Sequence, residues 1–210
     1  ISRKGLYPFL EQEAAKLASG QRVLSVGAGG QVGELLSRHA ASKGFQLEQL
    51  DISQSRNPDI LADLCTWSAP QTYDAIIVSE VLEHVTEPRA AVDNLHASLK
   101  PGGRLVLTTP YIFPIHEAPY DHYRYTRHGL AHLLAGFRKI EIKERNSWAE
   151  AVLVLVARTS TSGDRWLSAF SPFLVALSFA LYPFAWLAGK LMPSGFFTTG
   201  YLASARKPGP

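Results

Sequence analysis

The sequence predicts an α/β fold, a doubly wound domain built around a mostly parallel sheet. Short apolar runs such as Val23–Val26 and Ala75–Val78 have the composition of strands that are buried on both faces. Helical spacing of apolar residues follows the first run over Val32–Lys43, and Gly44 should end that helix. Because strands and helices alternate along most of the chain, we expect parallel strands joined by crossover helices.

Apolar periodicity, together with glycine and proline as breakers, places the remaining elements. The predicted helices are Tyr7–Ser19, Val32–Lys43, Ala90–Leu99, His128–Ala135 and Trp148–Arg158. The predicted strands are Val23–Val26, Leu47–Leu50, Tyr73–Ser79, Arg104–Thr109 and Phe137–Lys143.

The composition fits one folded domain. The chain has 210 residues, of which 46% are hydrophobic and 19% charged, enough for a single sizeable core. Its single cysteine, Cys65, excludes a disulfide framework and a multi-cysteine metal site, which favours a reducing compartment. No basic and then apolar leader is visible, so we expect no signal peptide and a cytoplasmic location.

The charge is divided unevenly along the chain. Residues 1–123 carry ten Lys and Arg against fourteen Asp and Glu, a net charge of −4. Residues 124–210 carry eleven against four, a net charge of +7, although the whole chain has only +3. The basic part also contains Trp166–Gly189, which has no charged residue and no histidine. An acidic body is therefore joined to a basic and apolar C-terminal part.

Residues after the first strands suit an adenosine-containing cofactor. Gly27–Gly30 form a glycine-rich turn before a helix, where backbone amides can approach a ligand. Asp51 follows the second strand and could accept hydrogen bonds from ribose hydroxyls, although it could also cap the next turn. Asp63, at another expected strand end, could accept from an adenine amino group or could be an ordinary loop acid.

Four blocks of residues resemble a known family. They are Val23–Gly29, Asp51–Ser53, Ser79–His84 and Leu99–Gly103, of which the last two are the specific part. Together they resemble the class I S-adenosylmethionine-dependent methyltransferases, and especially the methyltransferase type 11 group. The resemblance extends over about Gln21–Ile142.

The resemblance implies a Rossmann-like, seven-stranded sheet whose last strand, in Tyr201–Pro208, is antiparallel. It also implies S-adenosylmethionine as the cofactor. We therefore divide the single domain of residues 1–210 into an N-terminal helix (1–20), a cofactor-binding core (21–146), an apolar helical insert (147–196) and a final strand with its tail (197–210).

The resemblance also assigns cofactor-binding residues. Gly27 and Gly29, with Ala28 between them, would line the methionine moiety. Asp51, followed by Ile52, would bind the ribose, and Asp63 with Leu64 would bind the adenine. Ser79 and Glu80 would close over the cofactor. For Glu83 and His84, the resemblance supports a structural role in fixing the following helix at least as well as a catalytic role.

Two positions depart from the family pattern. Ser25 stands where the family usually has an acid that binds the methionine end of the cofactor, and Gln31 stands where it usually has a glycine. A nicotinamide-dinucleotide enzyme is the rival interpretation, but its glycine fingerprint needs glycine at Val32. A non-catalytic, membrane-peripheral scaffold that keeps the fold is the second alternative, and the two departures support it.

The segment Thr109–Thr126 is expected on the acceptor side, since it is rich in proline, histidine, tyrosine and charge. We predict that His116 is the general base or a ligand of the acceptor, and that Asp121 orients His116 or binds a sugar hydroxyl. Arg124 would pair with a phosphate or carboxylate, and the predicted substrate-binding residues are Tyr111, His122, Tyr123 and Arg124. In the alternative, Asp121, Tyr123 and Arg124 form a hydrogen-bonded knot that only anchors the loop.

Other ligands are not expected. His116, Glu117, Asp121 and His122 are of metal-ligating types, but they lack a paired helical spacing, so we predict no metal. Basic residues are not interleaved with aromatic ones, and the Asn/Asp-Pro-Pro-aromatic signature of base methylation is absent, so we predict no nucleic-acid partner.

The apolar insert suggests the acceptor. We rank a helical cap over the substrate cleft first, peripheral membrane contact through residues 148–192 second, and a membrane span last, because the chain must return to the sheet at Tyr201. The family resemblance also implies an association with surface-polysaccharide pathways. We therefore expect O-methylation of a small-molecule, glycan or lipid-linked acceptor.

Overall fold

A computed structural model describes residues 3–161 and 163–209. Its helices are α1 (Leu6–Ala14), α2 (Gly30–Lys43), α3 (Pro88–Ser98), α4 (Arg127–Leu133), α5 (Trp148–Arg158) and α6 (Arg165–Leu191). Its strands are β1 (Arg22–Val26), β2 (Gln46–Asp51), β3 (Ile60–Leu61), β4 (Tyr73–Ser79), β5 (Leu99–Pro110), β6 (Arg138–Glu144) and β7 (Gly200–Arg206). Short 3-10 turns lie at Gln54–Arg56 and Thr159–Thr161.

The seven strands form one sheet in the order β3-β2-β1-β4-β5-β7-β6. The pairs β3–β2, β2–β1, β1–β4 and β4–β5 are parallel, and β7 runs antiparallel to both β5 and β6. This confirms the predicted fold with its antiparallel last strand. Because β6 therefore runs in the same direction as β1 to β5, the carboxyl ends of six strands share one edge.

Helices cover both faces of the sheet. On one face, Leu95 of α3 and Leu130 of α4 pack with the strand residue Ile76 in the larger core. On the other face, Leu10 of α1 and Leu36 of α2 pack in the second core. Continuous apolar runs in β1 and β4 are explained by this arrangement, since both of their faces are buried.

Several boundaries differ from those predicted. The first helix ends at Ala14 and not near Ser19, because the next amides bond to carbonyls three residues back, as Leu17 does to Ala14. The strand β5 begins at Leu99, before the predicted Arg104, because Lys100–Gly103 form a bulge rather than a break.

The apolar insert is a hairpin of two helices. Helix α5 has the predicted bounds and begins with a capping box, in which Ser147 and Glu150 satisfy each other's backbone amides. Helix α6 is continuous through Pro172 and Pro183. Its buried residues, Ser171 and Ser178, lie on one side of the helix, and α6 packs mainly on α5 and the turn after it. The hairpin is therefore a second layer outside the sheet and its helices.

Gly189 sets how closely the two helices approach. A Cβ atom there would lie 2.3 Å from Ser147 Oγ and 2.5 Å from Ser147 Cβ. We expect Gly189→Leu to separate α6 from the capped end of α5 and to destabilise the chain by about 1–3 kcal/mol, as other overpacked contacts do. Thermal denaturation would measure this as a lower melting temperature.

The matched control is Ala180→Leu, on an exposed position of the same helix. It should leave the melting temperature unchanged. Equal effects of the two substitutions would contradict the packing described here.

Candidate active site

The turn after β1 exposes backbone at the carboxyl edge of the sheet. Gly27 has φ +92°, its N–H donates to Leu50 O at 2.8 Å, and a Cβ atom there would lie 2.9 Å from Val81 Cγ2. Gly29 has φ +73°, and nothing lies within 4 Å of the position of its Cβ atom. The glycines are thus required by the backbone conformation, and they leave open space beside the N-terminus of α2.

Asp51 closes this turn from the end of β2. Its Oδ2 accepts from the Ala28 N–H at 2.8 Å, and its Oδ1 accepts from the Ser53 N–H at 2.8 Å. The two interpretations of Asp51 are compatible, because each carboxylate oxygen has a further lone pair for a ligand hydroxyl. Ile52 beside it is 71% exposed, so an apolar side chain is available at the mouth of the turn.

Asp63 and Leu64 lie just beyond β3. Asp63 Oδ1 accepts from the Cys65 N–H at 2.8 Å, so this carboxylate orders its own loop. Leu64 is 4% exposed and belongs to the larger core. The predicted adenine-binding pair is therefore partly structural, and only Asp63 has a side chain that solvent reaches.

A hydrogen-bonded chain fixes the end of β4. Ser79 Oγ lies 2.9 Å from Thr108 Oγ1, which donates to Glu80 Oε1 at 2.9 Å. Glu80 has φ +55°, and Arg145 Nη1 donates to its Oε2 at 3.0 Å. The Arg145 side chain is 2% exposed, so the Glu80 carboxylate is held by a buried cation.

Glu83 is buried among groups that could bind a proton or a cation. It is fully buried, and both carboxylate oxygens lack a hydrogen-bond partner within the described residues. Its Oε1 lies 3.7 Å from His84 Nε2 and 3.8 Å from His116 Nε2. One ligand atom from each of these three side chains lies within 4.8 Å of the others, so the trio could hold a metal ion. This set shares only His116 with the one considered from the sequence.

The loop after β5 is pinned to the turn after β4. The N–H groups of His122 and Tyr123 both donate to Glu83 O, at 2.9 and 3.1 Å. Tyr123 OH donates to Thr86 O at 3.0 Å, and Tyr125 OH donates to Leu82 O at 3.0 Å. The loop is therefore an ordered wall of the site.

Asp121 and Arg124 form the knot that the sequence offered as an alternative. Arg124 pairs with both Asp121 oxygens, through Nη2 to Oδ2 at 2.6 Å and through Nη1 to Oδ1. This pairing holds the pKa of Asp121 well below its usual range. Asp121 Oδ2 also accepts from the His116 N–H at 2.9 Å and lies 3.3 Å from His116 Nδ1. Asp121 therefore contacts both Arg124 and His116.

The other predicted acceptor-side residues are spread along this loop. Tyr111 packs against Tyr201 with ring centroids 5.5 Å apart, at the base of the loop. Tyr123 stacks on Tyr125 with ring centroids 6.0 Å apart. Tyr123 is 38% exposed, and His122 is exposed as well. Of these residues, His122 and Tyr123 present the most accessible side chains.

The residues at this edge fit S-adenosylmethionine. The glycine turn leaves open space at Gly29, and a side chain at that position would fill it. Ser25, which replaces the usual acid, is 1% exposed, and its Oγ has no partner within the described chain. A buried hydroxyl without a partner is available to a ligand. Gln31, the second departure, accepts a hydrogen bond from Tyr7 OH of α1.

Two structural features escaped the sequence analysis. Arg145 was not singled out, although its place directly after β6 could have indicated the edge that Glu80 also occupies. The burial of Glu83 was also missed, because a carboxylate inside a predicted turn gives no pattern that marks it as buried.

Comparisons with known proteins agree with the fold. The family model described as a methyltransferase domain matches residues 3–147. A ubiquinone biosynthesis O-methyltransferase of Xylella fastidiosa is 35% identical over 112 residues, which cover 43% of this chain and 42% of that protein. The chain thus matches less than half the length of this relative.

Solved structures have the same fold. A methyltransferase from Archaeoglobus fulgidus, described as SAM dependent, has a TM-score of 0.63 at 15% identity and covers 98% of this chain and 95% of its own. A phosphoethanolamine N-methyltransferase of Haemonchus contortus, solved with S-adenosylhomocysteine, has a TM-score of 0.60 at 16% identity and covers 95% of this chain and 51% of its own.

The chain therefore belongs to the methyltransferase-domain family. Within it, the sheet order and the antiparallel β7 are those of the class I S-adenosylmethionine-dependent methyltransferase fold.

The environment of Glu83 predicts a pH-dependent stability. Desolvation by burial, followed by the nearby Glu80 carboxylate, raises the pKa of Glu83 from 4.5 to about 8. The unfolded chain loses this proton near pH 4.5, whereas the folded chain keeps it until about pH 8. Stability should therefore fall as pH rises through this window.

Glu83→Gln removes this ionisation. We expect the melting temperature of the variant, relative to the unmodified chain, to increase progressively from pH 4.5 to about pH 8 in the presence of EDTA. The control Glu87→Gln, at an exposed position, should show no such trend. A difference between Glu83→Gln and the unmodified chain that does not vary with pH would refute the assignment.

Proposed function

We propose that the chain transfers a methyl group from S-adenosylmethionine to a hydroxyl oxygen of a small-molecule, glycan or lipid-linked acceptor. The observation that carries the proposal is the open glycine turn at Gly27–Gly30, closed by Asp51 at the carboxyl edge of a family-typical sheet. The proposed cofactor-binding residues are Gly27, Ala28, Gly29, Asp51, Ile52, Asp63, Leu64, Ser79 and Glu80.

The cofactor supplies an activated methyl group, and the chain supplies position and a proton acceptor. An ordered wall made by the loop after β5 would hold the acceptor near the turn after β1, and such orientation accounts for much of the acceleration in transfers of this kind. His116 is the proposed general base for the acceptor hydroxyl, and Asp121 near its Nδ1 is the proposed orienting group.

The acceptor would meet Tyr111, His122, Tyr123 and Arg124. Arg124 already donates to Asp121, to Tyr123 O at 2.9 Å and to Pro114 O at 3.3 Å. These contacts favour a role in shaping the wall, so we propose that Arg124 contributes to acceptor binding chiefly by holding Asp121 and the loop in place.

Two observations favour an oxygen acceptor that is partly apolar. The curated relative is named for O-methylation in ubiquinone biosynthesis. In addition, α5 runs from the end of β6 to the loop after β5, where the Arg158 guanidinium lies 4.9 Å from the Phe113 ring centroid, so apolar helices border the site. We propose a cytoplasmic enzyme that works at a membrane surface on a lipid-linked glycan or a related molecule.

A non-catalytic scaffold is the second candidate. The observation that favours it is Ser25, whose hydroxyl brings no charge to pair with the ammonium of the cofactor. The two functions differ in one measurable property, because a scaffold of this kind would show no saturable binding of S-adenosylmethionine.

Filling the glycine turn should abolish cofactor binding. Gly29→Val places a branched side chain where the structure leaves open space, and we expect calorimetry to show at least about a hundredfold weaker binding of S-adenosylmethionine. Gly20→Val is the matched control, since Gly20 has φ +79° and equally open surroundings but precedes β1 at the opposite edge. Equal losses in both variants would mean that backbone strain, and not a filled site, causes the effect.

Removing the proposed base should reduce turnover and spare cofactor binding. We expect His116→Ala to lower transfer of the tritiated methyl group from S-adenosylmethionine into a lipid extract or a nucleotide-sugar fraction at least about tenfold. His128→Ala, an exposed histidine of α4, is the control and should keep full turnover. Near-normal turnover of His116→Ala would remove His116 from the catalytic residues.

A further inference from the structure

Helix α6 presents a continuous apolar face to the outside of the molecule. We call outer face the side of α6 opposite α5. Its large side chains are about half exposed or more: Trp166 (64%), Phe173 (67%), Phe184 (70%), Leu187 (48%) and Leu191 (72%). Soluble monomers rarely expose apolar side chains of this size in a contiguous row, and such a row marks an interaction site.

The opposite side of the helix is the packed one. Ser171 and Ser178 are buried there, and Tyr182 OH donates to Glu150 Oε1 of α5 at 2.6 Å. Only 11% of the most apolar stretch of α6 is buried. The helix is therefore not the core helix of a soluble domain, because the greater part of its apolar surface has no covering within the described residues.

Both charged side chains of α6 are cations, and the Asp164 carboxylate that precedes them caps the helix by accepting from the Trp166 and Leu167 N–H groups. Arg165 lies 4.8 Å from the Trp166 ring centroid at one end, and Lys190 lies 4.0 Å from the Trp186 ring centroid at the other. No Asp or Glu occurs in the sequence after Asp164. Aromatic rings beside cations at the ends of an apolar helix match the headgroup region of an anionic membrane, where aromatic rings and long cationic side chains both concentrate.

We propose that the outer face of α6 docks on an anionic lipid bilayer, with the helix lying in the plane of the interface. Trp166, Phe173 and Phe184 enter the boundary between headgroups and acyl chains, while Arg165 and Lys190 contact lipid phosphates. The docking itself does not depend on methyl transfer.

The same structure argues against a membrane span. Glu150 pairs with Lys4 at 3.3 Å and accepts a hydrogen bond from Tyr182, which lies within α6. A spanning α6 would carry this ionic cluster toward the middle of the bilayer, where charges are costly. A helix lying in the interface keeps the cluster on the protein side, and it lets the chain return to β7 without crossing.

Docking in this orientation would bring the acceptor to the site. A shallow apolar cavity of about 380 Å³, open to solvent, lies at the C-terminal end of α6 and is lined by Trp148, Met192, Pro193, Ser194 and Phe196. Because Trp148 follows β6 and Phe196 precedes β7, this cavity lies at the same sheet edge as Glu80 and Arg145. Resting on the proposed function, we infer that the cavity receives the apolar part of a lipid-linked acceptor.

Flotation with vesicles tests the docking. The unmodified chain should float with vesicles of phosphatidylcholine and phosphatidylglycerol, and more weakly with phosphatidylcholine alone or at high salt. The double substitution Phe173→Asp, Phe184→Asp should lower binding to the anionic vesicles at least about tenfold. The matched control is Leu61→Asp, since Leu61 is 53% exposed on β3 at the far edge of the sheet, and it should float like the unmodified chain.

Three results would overturn the proposal. They are no flotation of the unmodified chain, equal flotation of the double variant, or a dimer in solution that the double substitution dissociates, since a second copy would then cover the outer face. Calorimetry with S-adenosylmethionine tests the proposed function separately from the docking. The double variant and the Leu61→Asp control should both bind the cofactor like the unmodified chain. Flotation without cofactor binding would leave the docking in place and refute the methyltransferase function.

Discussion

The buried ion pair between Glu80 and Arg145 joins the parts of this molecule that must act together. Glu80 begins the turn after β4, and Arg145 directly follows β6, so the pair joins two strands at the carboxyl edge of the sheet. Arg145 also donates its backbone N–H to Gly200 O at 2.8 Å at the start of β7, and its carbonyl faces Gly5 before α1. Loss of the Glu80 carboxylate would leave the Arg145 cation buried without its partner, which typically costs about 3–5 kcal/mol.

The Glu80–Arg145 pair lies between two parts of the molecule, the sheet with its glycine turn and the α5–α6 hairpin. On the sheet side, Asp51 contacts the glycine turn and Asp63 lies just beyond β3, so part of the net charge of −4 over residues 1–123 lies at the carboxyl ends of these strands. On the other side, the basic C-terminal part contributes α5, α6 and the cations at their ends. The division seen in the sequence therefore corresponds to two sides of one domain, and we propose that the first binds the cofactor and the second meets the acceptor or a membrane.

The sequence was sufficient wherever a local pattern determines the structure. Apolar runs predicted β1 and β4, Gly44 marked the end of α2, and glycines marked the turn at which the backbone needs positive φ. It was insufficient where long-range packing decides. Nothing local shows that Glu83 is fully buried or that Arg145 reaches Glu80, and the prolines of α6 did not indicate that the helix continues through them. The placement of His116 beside both Asp121 and Glu83 likewise depends on the fold of a whole loop.

The central claim is that the edge formed by β1, β2 and β4 binds S-adenosylmethionine. Ultraviolet photolabelling of the unmodified chain with methyl-tritiated S-adenosylmethionine, followed by peptide mapping, tests it most directly. We expect saturable label, displaced by S-adenosylhomocysteine, in peptides that contain Gly27–Gln31, Asp51–Ile52 or Ser79–His84. Label that does not saturate, or that maps only to the α5–α6 hairpin, would contradict it.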